Sequence, residues 1–274
     1  MKKYIFLVII LACVLYFELD DDHARIKVIR IGVECDYPPN NWEEDAPTDS
    51  NVPLENKKGF YAEGYDIQIA KAVAEKIGAK LEVKKIAWQD LLHALNRREI
   101  DAVFSGMLDT EERKQDAAFS DRYDFQEEEY VILVHKKSRY ARAKKLSDFY
   151  GAVLTGQKGT VLNDAVGQIE GAIHIEPLEI FSELLDKLLQ HELDGLIINL
   201  DSAKIYEKEH PDDLVVIAFP KGQGFTLGHS GICAAVRKTD NRLLKEINGV
   251  LKKLSKRDRQ RIMDRIISRQ WDNL

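Results

Sequence analysis

The sequence is short of cysteine, proline and clustered positive charge, and each shortage argues against a class of protein. Its 274 residues include three cysteines and seven prolines, and no two cysteines form a CxxC pair. Cys35 and Cys233 lie in apolar, strand-like runs, which predicts buried thiols rather than a disulfide. The seven histidines form no HxxxH or HExxH motif, so we predict neither a metal site nor another cofactor. A net charge of −6 without a basic block disfavours nucleic acid as a partner.

The N-terminus has a different composition from the rest of the chain. Two lysines precede an unbroken apolar run from Tyr4 to Phe17, and acids follow it. This run is shorter than the roughly 20 residues that cross a bilayer, so residues 1–24 predict a secretory leader. Within it, ILAC ends at Cys13 and resembles a lipobox, whose cysteine is acylated, although the apolar run continues beyond it. An uncleaved anchor is the alternative, and both interpretations place the rest of the chain outside the cytoplasmic membrane.

Beyond the leader, apolar residues alternate between strand and helix patterns. The run IKVIRIGVE (26–34) is β-branched and alternating, which predicts a strand. Apolar residues with helical spacing in YDIQIAKAVAEKIGAK (65–80) predict a helix that ends at Gly78. The segment between them (36–59) is rich in proline, asparagine and acids, and predicts a long loop. A buried strand in IDAVFSG (100–106) completes a β-α-β-α-β order, which is typical of a parallel sheet.

The second half of the chain repeats this pattern. LLHALNRREIDAVFSG (91–106) and LLDKLLQHELDGLIINLDS (184–202) each place a helix before an acid and an apolar strand that ends in small polar groups. We therefore predict an α/β protein of two Rossmann-like lobes joined by two crossing hinge strands. The first lobe would comprise residues 25–124 and 228–274, and the second residues 125–227. Ligands of open α/β sheets bind beyond the carboxyl ends of the strands, so we expect a ligand cleft between the lobes.

Seven motifs follow one another along the chain: YPP, GYDIQIAKAVAEKIG, W…LLHAL…EIDAVFSGM, TEERK…FSDRY, GQKGT, DGLIINLDSA and SGICAAVRK. In this order they resemble the extracellular solute-binding proteins of the polar amino-acid type, which are the capture subunits of ATP-binding-cassette importers. Each motif is weak alone, and together they cover about residues 26–260. The resemblance implies a type II periplasmic-binding-protein fold and a monomer without enzyme activity. It also implies an amino acid as ligand, with a permease and an ATPase as protein partners.

The resemblance implies how the charged ends of an amino acid are held. A guanidinium offers paired planar donors to a carboxylate, and Arg113 falls at the family's carboxylate-binding arginine. Thr160 follows the glycine turn of TGQKGT and falls where an amide and a hydroxyl meet the same carboxylate. Asp201 is expected to accept the ligand ammonium, together with backbone groups at Ser105 and Gly106. The alternatives are a solvated Arg113 paired with neighbouring acids and a plain N-cap at Thr160.

Aromatic and acidic residues are expected around the ligand side chain. Tyr37, Trp42 and Trp88 are candidates because aromatic faces hold aliphatic stems and cations. Glu34 falls where relatives that bind lysine, arginine or histidine carry an acid, which favours a basic ligand over glutamine or another polar amino acid. The chain departs from the family's SGMT at Leu108, which removes one side-chain hydrogen bond to the ligand.

Two other classes of protein share this scaffold. One is a ligand-sensing receptor domain, and the other is an enzyme such as a cyclohexadienyl-dehydratase-like protein. No Ser-His-Asp, Cys-His or paired-carboxylate arrangement follows from the spacing of residues, which disfavours the enzyme. We therefore predict capture of an amino acid outside the cytoplasmic membrane, by a protein lipid-anchored to the outer face of that membrane or lying in a periplasm.

Overall fold

The structure is a computed structural model. The described residues are 26–125, 129–220, 222–227 and 231–272. The predicted leader (1–24), with Cys13, lies outside them. None of the helices in the described ranges combines the length and the apolar character that a membrane span requires.

The described chain forms short strands and helices that alternate along most of its length. The strands are β1 (Val28–Val33), β2 (Asp36–Tyr37), β3 (Asn41–Glu44), β4 (Val52–Pro53), β5 (Tyr61–Glu63), β6 (Lys80–Lys85), β7 (Ala102–Val103), β8 (Ala118–Phe119), β9 (Tyr130–His135), β10 (Val153–Thr155), β11 (Ile173–His174), β12 (Gly195–Asn199), β13 (Leu214–Ile217) and β14 (Ala235–Val236). The helices are α1 (Tyr65–Ile77), α2 (Leu91–Asn96), α3 (Val161–Asp164), α4 (Phe181–Leu189), α5 (Leu200–Glu209), α6 (Asn241–Leu251) and α7 (Lys256–Asp272). Single 3₁₀ turns at Trp88–Asp90 and Arg113–Gln115 hold two of the predicted site residues.

The first sheet has the strand order β6-β1-β7-β14-β8. β1 runs parallel to β6 and β7, as the sequence predicts, whereas β14 is antiparallel to both of its neighbours. One apolar core joins this sheet to α1 and α6, with Ile31, Ile67 and Ile247 fully buried in it. The apolar face of α6 therefore packs on the first lobe.

The second sheet has the order β11-β10-β12-β9-β13. β10 is parallel to β11 and β12, and β9 is antiparallel to β12 and β13. Phe181, Leu184 and Leu188 form the buried face of α4 and pack against this sheet, beside Leu196 of β12. Each lobe thus has parallel strands at the centre of its own sheet. The candidate site residues follow the carboxyl ends of these strands.

The bounds of α1 follow from local sequence. Its buried residues include Ile69, Ala70 and Val73, which lie on one helical face. Gly78 has a φ of 69°, a left-handed conformation that glycine adopts without a steric penalty, and its N–H donates to the Glu75 carbonyl. The predicted end of this helix at Gly78 is confirmed.

The segment predicted as a long loop (36–59) is in part a sheet, so that prediction was wrong. β2, β3, β5 and β4 form a four-stranded antiparallel sheet in that order. Trp42 pairs with Asp36 on one side and Glu63 on the other, and Leu54 bridges to Val83 in the first lobe. These strands are too short and too polar to show a period of two, and their pairing depends on residues distant in the chain.

The chain passes from the first sheet to the second after β8 and returns before β14. Residues 126–128, between β8 and β9, and residues 228–230, between β13 and β14, lie outside the described residues. Two α/β lobes confirm the predicted fold class. The lobe boundaries at residues 124 and 227 stay a prediction.

Candidate functional site

A cavity lies between the two lobes at the carboxyl ends of β1, β7 and β12. The predicted site residues that line this cleft cavity are Glu34, Tyr37, Trp88, Ser105, Gly106, Arg113 and Thr160. The lobes already touch across it, because Trp88 Nε1 donates to the Gly159 carbonyl at 3.2 Å. The cleft is therefore bounded by groups from both lobes.

Arg113 marks one end of the cleft. Its guanidinium donates to the Leu108 carbonyl at 2.9 Å in the first lobe and to the Gly159 carbonyl at 3.0 Å in the second. The Trp88 ring lies 4.9 Å from the guanidinium carbon, within cation–π range. Burial lowers the pKa of Arg113 to about 10, and the charges of Glu112 and Asp164 oppose this shift. None of the described carboxylates lies within ion-pair distance of the guanidinium, so this end of the cleft holds a partly desolvated cation.

The alternative role for Arg113, a surface arginine paired with its neighbours, does not fit these contacts. Glu111 pairs with Lys114 at 2.9 Å, and Lys114 also pairs with the buried Asp109 at 3.1 Å. Lys114, and not Arg113, is therefore the basic residue of this turn that pairs with the neighbouring acids.

Thr160 stands at the N-terminus of α3 and caps it. Its hydroxyl accepts from the Asn163 N–H at 3.3 Å and donates to the Gln157 carbonyl at 2.7 Å, and its own N–H donates to that carbonyl at 3.2 Å. The cap is thus present, and Thr160 also lines the cavity. Both the amide and the hydroxyl have partners within the turn, so a ligand carboxylate would have to share or replace those bonds.

Glu34 marks the other end of the cleft. It follows β1, is buried, and its carboxylate accepts a hydrogen bond from the Gln157 side-chain amide of the second lobe. Burial raises the pKa of Glu34 to about 8, against a lowering effect from the Gln157 hydrogen bond. Nearby Asp36 raises this pKa further and Lys85 lowers it. The Glu34 N–H donates to the Ser105 hydroxyl at 3.0 Å, which ties the ends of β1 and β7 together.

Aromatic rings line the space between these ends. Tyr37 packs edge-on against Phe181 of the second lobe, with ring centroids 4.7 Å apart. The Asn199 N–H donates to the Tyr37 hydroxyl at 3.4 Å. Trp42, in contrast, lies in β3 and is not among the residues that line this cavity, and its role in the side-chain pocket stays a prediction. Asn40, just before that strand, lines the cavity.

Asp201 is not among the residues that line the cleft cavity, and its contact with the ligand ammonium stays a prediction. The strand β12 ends at Asn199 and α5 begins at the next residue, so Asp201 lies in the first turn of that helix. It lines a neighbouring cavity, which shares Asn40 and Asn199 with the cleft. Burial raises the pKa of Asp201, and the nearby charge of Lys204 opposes this shift.

Asn199 occupies the strand end where an acid was expected. Its side-chain oxygen accepts from the Ser202 N–H at 2.8 Å and caps α5. The residue is buried and lines the cleft cavity. Together with Asn40, Gln157 and Phe181 it belongs to the lining residues that sequence reasoning missed. The signal for Asn199 was available, because it is the last residue of the buried run GLIIN before a helical pattern begins.

Comparison with known proteins settles the family. The family model of bacterial extracellular solute-binding proteins, family 3, matches residues 29–269. The chain belongs to this family. Its similar relatives include the arginine-binding extracellular protein ArtP of Bacillus subtilis, 32% identical over 75% of this chain and 81% of the relative. A probable histidine-binding protein of Neisseria gonorrhoeae is 32% identical over 83% of this chain and 78% of its own.

Solved structures of family members show the same architecture. An ancestral arginine-binding protein bound to arginine superimposes with a TM-score of 0.72 at 28% identity, over 88% of this chain and 99% of the other. The same type of ancestral protein bound to glutamine gives a TM-score of 0.71 at 29% identity, over 87% and 96% of the two chains. The predicted type II periplasmic-binding-protein fold is confirmed, and the relatives are named as binding proteins rather than enzymes.

Proposed function

We propose that this protein is the substrate-binding subunit of an amino-acid importer of the ATP-binding-cassette class. It captures a polar amino acid in the interlobe cleft and delivers it to a permease driven by an ATPase. Relatives named for arginine, histidine and glutamine support the ligand class. The acid Glu34 in the cleft supports a ligand with a cationic side chain.

The observation that carries this proposal is the state of Arg113. This guanidinium lines a cleft, donates to two backbone carbonyls, forms no ion pair with the residues that the structure describes and has a lowered pKa, so it is poised for an anion. A ligand carboxylate would supply the missing negative charge through paired charge-assisted hydrogen bonds. Thr160, on the opposite wall, would contribute once its bonds to Gln157 rearrange.

Hinge closure couples capture to delivery. Both ionisable side chains that line the cleft, Arg113 and Glu34, belong to the first lobe, so the open protein binds the ligand there. The second lobe then adds Gln157, Thr160 and the Gly159 carbonyl, contacts that exist only when the lobes meet. Such contacts are the ones that shift the equilibrium towards the closed form, which the permease recognises.

We propose further that the chain works as a monomer held at the outer face of the cell membrane by lipid on Cys13. The apolar leader and its ILAC sequence support this attachment. Labelled palmitate should enter the wild-type protein in cells and be lost in Cys13→Ala. Equal labelling of the two proteins would leave the leader as a signal or anchor without lipid.

A ligand screen tests the function itself. Thermal unfolding of the purified protein with each of the twenty amino acids, ornithine and polyamines should show stabilisation by carboxylate-bearing polar ligands. A ligand at a hundred times its Kd adds about 2.7 kcal/mol to the free energy of unfolding. Stabilisation by polyamines alone, which lack a carboxylate, would contradict the role of Arg113.

A further inference from the structure

The cleft cavity has fewer charged side chains in its lining than a basic amino acid has charges. Of the described residues that line its cavity, Glu34 is the one acid and Arg113 the one base. A basic amino acid brings one negative and two positive charges into this space. One of its two cations would therefore have no ionic partner, and a buried charge without a partner is costly.

The ligand cation that would lack an ionic partner is the α-ammonium, next to the ligand carboxylate. The α-ammonium of an amino acid is attached one carbon from its carboxylate, so it must lie near Arg113 when the guanidinium holds that carboxylate. Glu34 and Arg113 form no ion pair with each other among the described residues, and their hydrogen bonds go to different groups. The Glu34 carboxyl accepts from the Gln157 amide and its N–H donates to the Ser105 hydroxyl, whereas the Arg113 guanidinium donates to the Leu108 and Gly159 carbonyls. The single acid thus belongs to the far end of the ligand.

The groups that could receive an α-ammonium are neutral and mostly engaged. The Asn199 oxygen already accepts from the Ser202 N–H, so this neutral side chain offers an ammonium at most one further lone pair, and its other polar atoms are amide donors. Leu108 presents an apolar side chain to the cavity, and its carbonyl accepts from Arg113. Backbone carbonyls near Ser105 and Gly106 remain, and neutral acceptors bind an ammonium more weakly than a carboxylate does.

We infer that this cleft recognises a carboxylate and a distal cation separated by a flexible chain, and does not require an α-ammonium. The preferred ligands are ω-amino or ω-guanidino carboxylates, with the carboxylate on Arg113 and the cation on Glu34. This inference rests on the proposed function and narrows its substrate class. It also predicts weak discrimination between L and D amino acids, since the α-substituent lacks a charged partner.

Matched pairs of ligands test the inference by calorimetry. The purified protein is titrated, above the Glu34 pKa of about 8, with L-lysine and 6-aminohexanoate, and with L-arginine and 5-guanidinopentanoate. In each pair the second compound lacks only the α-ammonium. Norleucine and hexanoate, which lack the distal cation, complete the set. We expect each deamino compound to bind within about threefold of its amino acid or more tightly, and the compounds without a distal cation to bind at least about tenfold more weakly.

The outcomes separate the inference from the function on which it rests. A loss of more than threefold on removing the α-ammonium overturns the inference and leaves amino-acid capture intact. Binding of norleucine as tight as that of L-lysine overturns the assignment of Glu34 to a distal cation. Binding of none of the amino acids or analogues overturns the proposed function, and the inference falls with it.

Asn199→Asp provides a second test that does not depend on absolute affinity. Aspartate is as good an N-cap as asparagine, so α5 keeps its start. The added charge should raise the affinity for L-lysine relative to 6-aminohexanoate by about tenfold or more. Asp201→Asn, two residues along and outside the cleft cavity, is the matched control and should leave this ratio unchanged. An unchanged ratio in Asn199→Asp would show that the α-ammonium does not lie at this strand end, and would overturn the inference.

Discussion

The strands β7 and β12 come from similar stretches of sequence, yet they leave their sheets differently. After β7 the chain continues as irregular backbone, with Gly106 at a φ of 60°, before it reaches the turn of Arg113. After β12 it turns directly into α5, and Asn199 is both the strand end and the helix cap. A loop can bring a long charged side chain back over the cleft, whereas a helix carries the following residues away from it.

The two lobes contribute different kinds of side chain to the cleft. The first lobe supplies both ionisable residues of its lining, Arg113 and Glu34, and the second supplies neutral groups such as Gln157 and Thr160. We therefore expect substitutions in the first lobe to change affinity and ligand choice, and substitutions in the second to change closure and stability. The following predictions test that division, from the largest expected effect to the smallest.

Arg113→Ala should cause the largest loss. Removing one partner of a desolvated charge pair costs roughly 2–5 kcal/mol of binding free energy, so calorimetry should show a fall of at least about thirtyfold in affinity. Lys114→Ala is the matched control, because Lys114 pairs with Asp109 and Glu111 rather than lining the cleft. Similar affinities for wild type and Arg113→Ala would contradict the carboxylate role.

Glu34→Gln should lower affinity for cationic ligands by about tenfold or more and leave neutral ligands almost unaffected. Burial has raised the pKa of Glu34 to about 8, so at pH 6 to 7 the empty cleft holds this group protonated. A cationic ligand must displace that proton, and its affinity should rise about tenfold per pH unit up to about pH 8 and then level off. The variant should show a flat profile. A rising profile in Glu34→Gln would assign the titration to another group.

The raised pKa of Glu34 also makes the stability of the ligand-free protein depend on pH. Because the folded protein binds the Glu34 proton more tightly than the unfolded chain, the stabilisation is full below the ordinary carboxyl pKa and is lost as pH rises through about 8. Gln157, Asp36 and Lys85 are the groups that act on this titration. Denaturant unfolding at pH 6 and pH 9 should show a smaller decrease in Glu34→Gln than in the wild type. Equal decreases would mean that Glu34 contributes nothing to the pH dependence.

Trp88→Leu should have a moderate effect. The substitution removes the cation–π contact with Arg113 and the hydrogen bond to Gly159 that links the lobes, together worth about 1–2 kcal/mol of binding free energy. Trp42→Leu is the matched control, since Trp42 lies outside the cavity. A larger effect of Trp42→Leu on affinity would instead support the role in the side-chain pocket that the sequence predicts for Trp42.

Local sequence predicts those parts of the fold whose interactions are local. The stripe of α1 and its end at Gly78 depend on neighbours within one or two turns, and both are confirmed. The small sheet around Trp42 depends on pairing with Glu63, twenty-one residues away. Its strands show no alternation of apolar and polar residues from which local sequence could predict it. At Asp201 the prediction placed the strand end two residues too far along the chain. A shift of that size moves a side chain into another cavity, because the backbone changes from strand to helix at Asn199.

Asn199→Ala should have the smallest effect, and on stability more than on affinity. The substitution removes the cap on the Ser202 N–H, a change that costs about 1 kcal/mol in the free energy of unfolding. Denaturant titration should therefore show a lower midpoint for Asn199→Ala and an unchanged midpoint for Asn199→Asp, which retains a capping oxygen. If Asn199→Ala instead weakened ligand binding about as much as Arg113→Ala does, the second lobe would hold a main binding group, and the division between a charged lobe and a neutral lobe would be wrong.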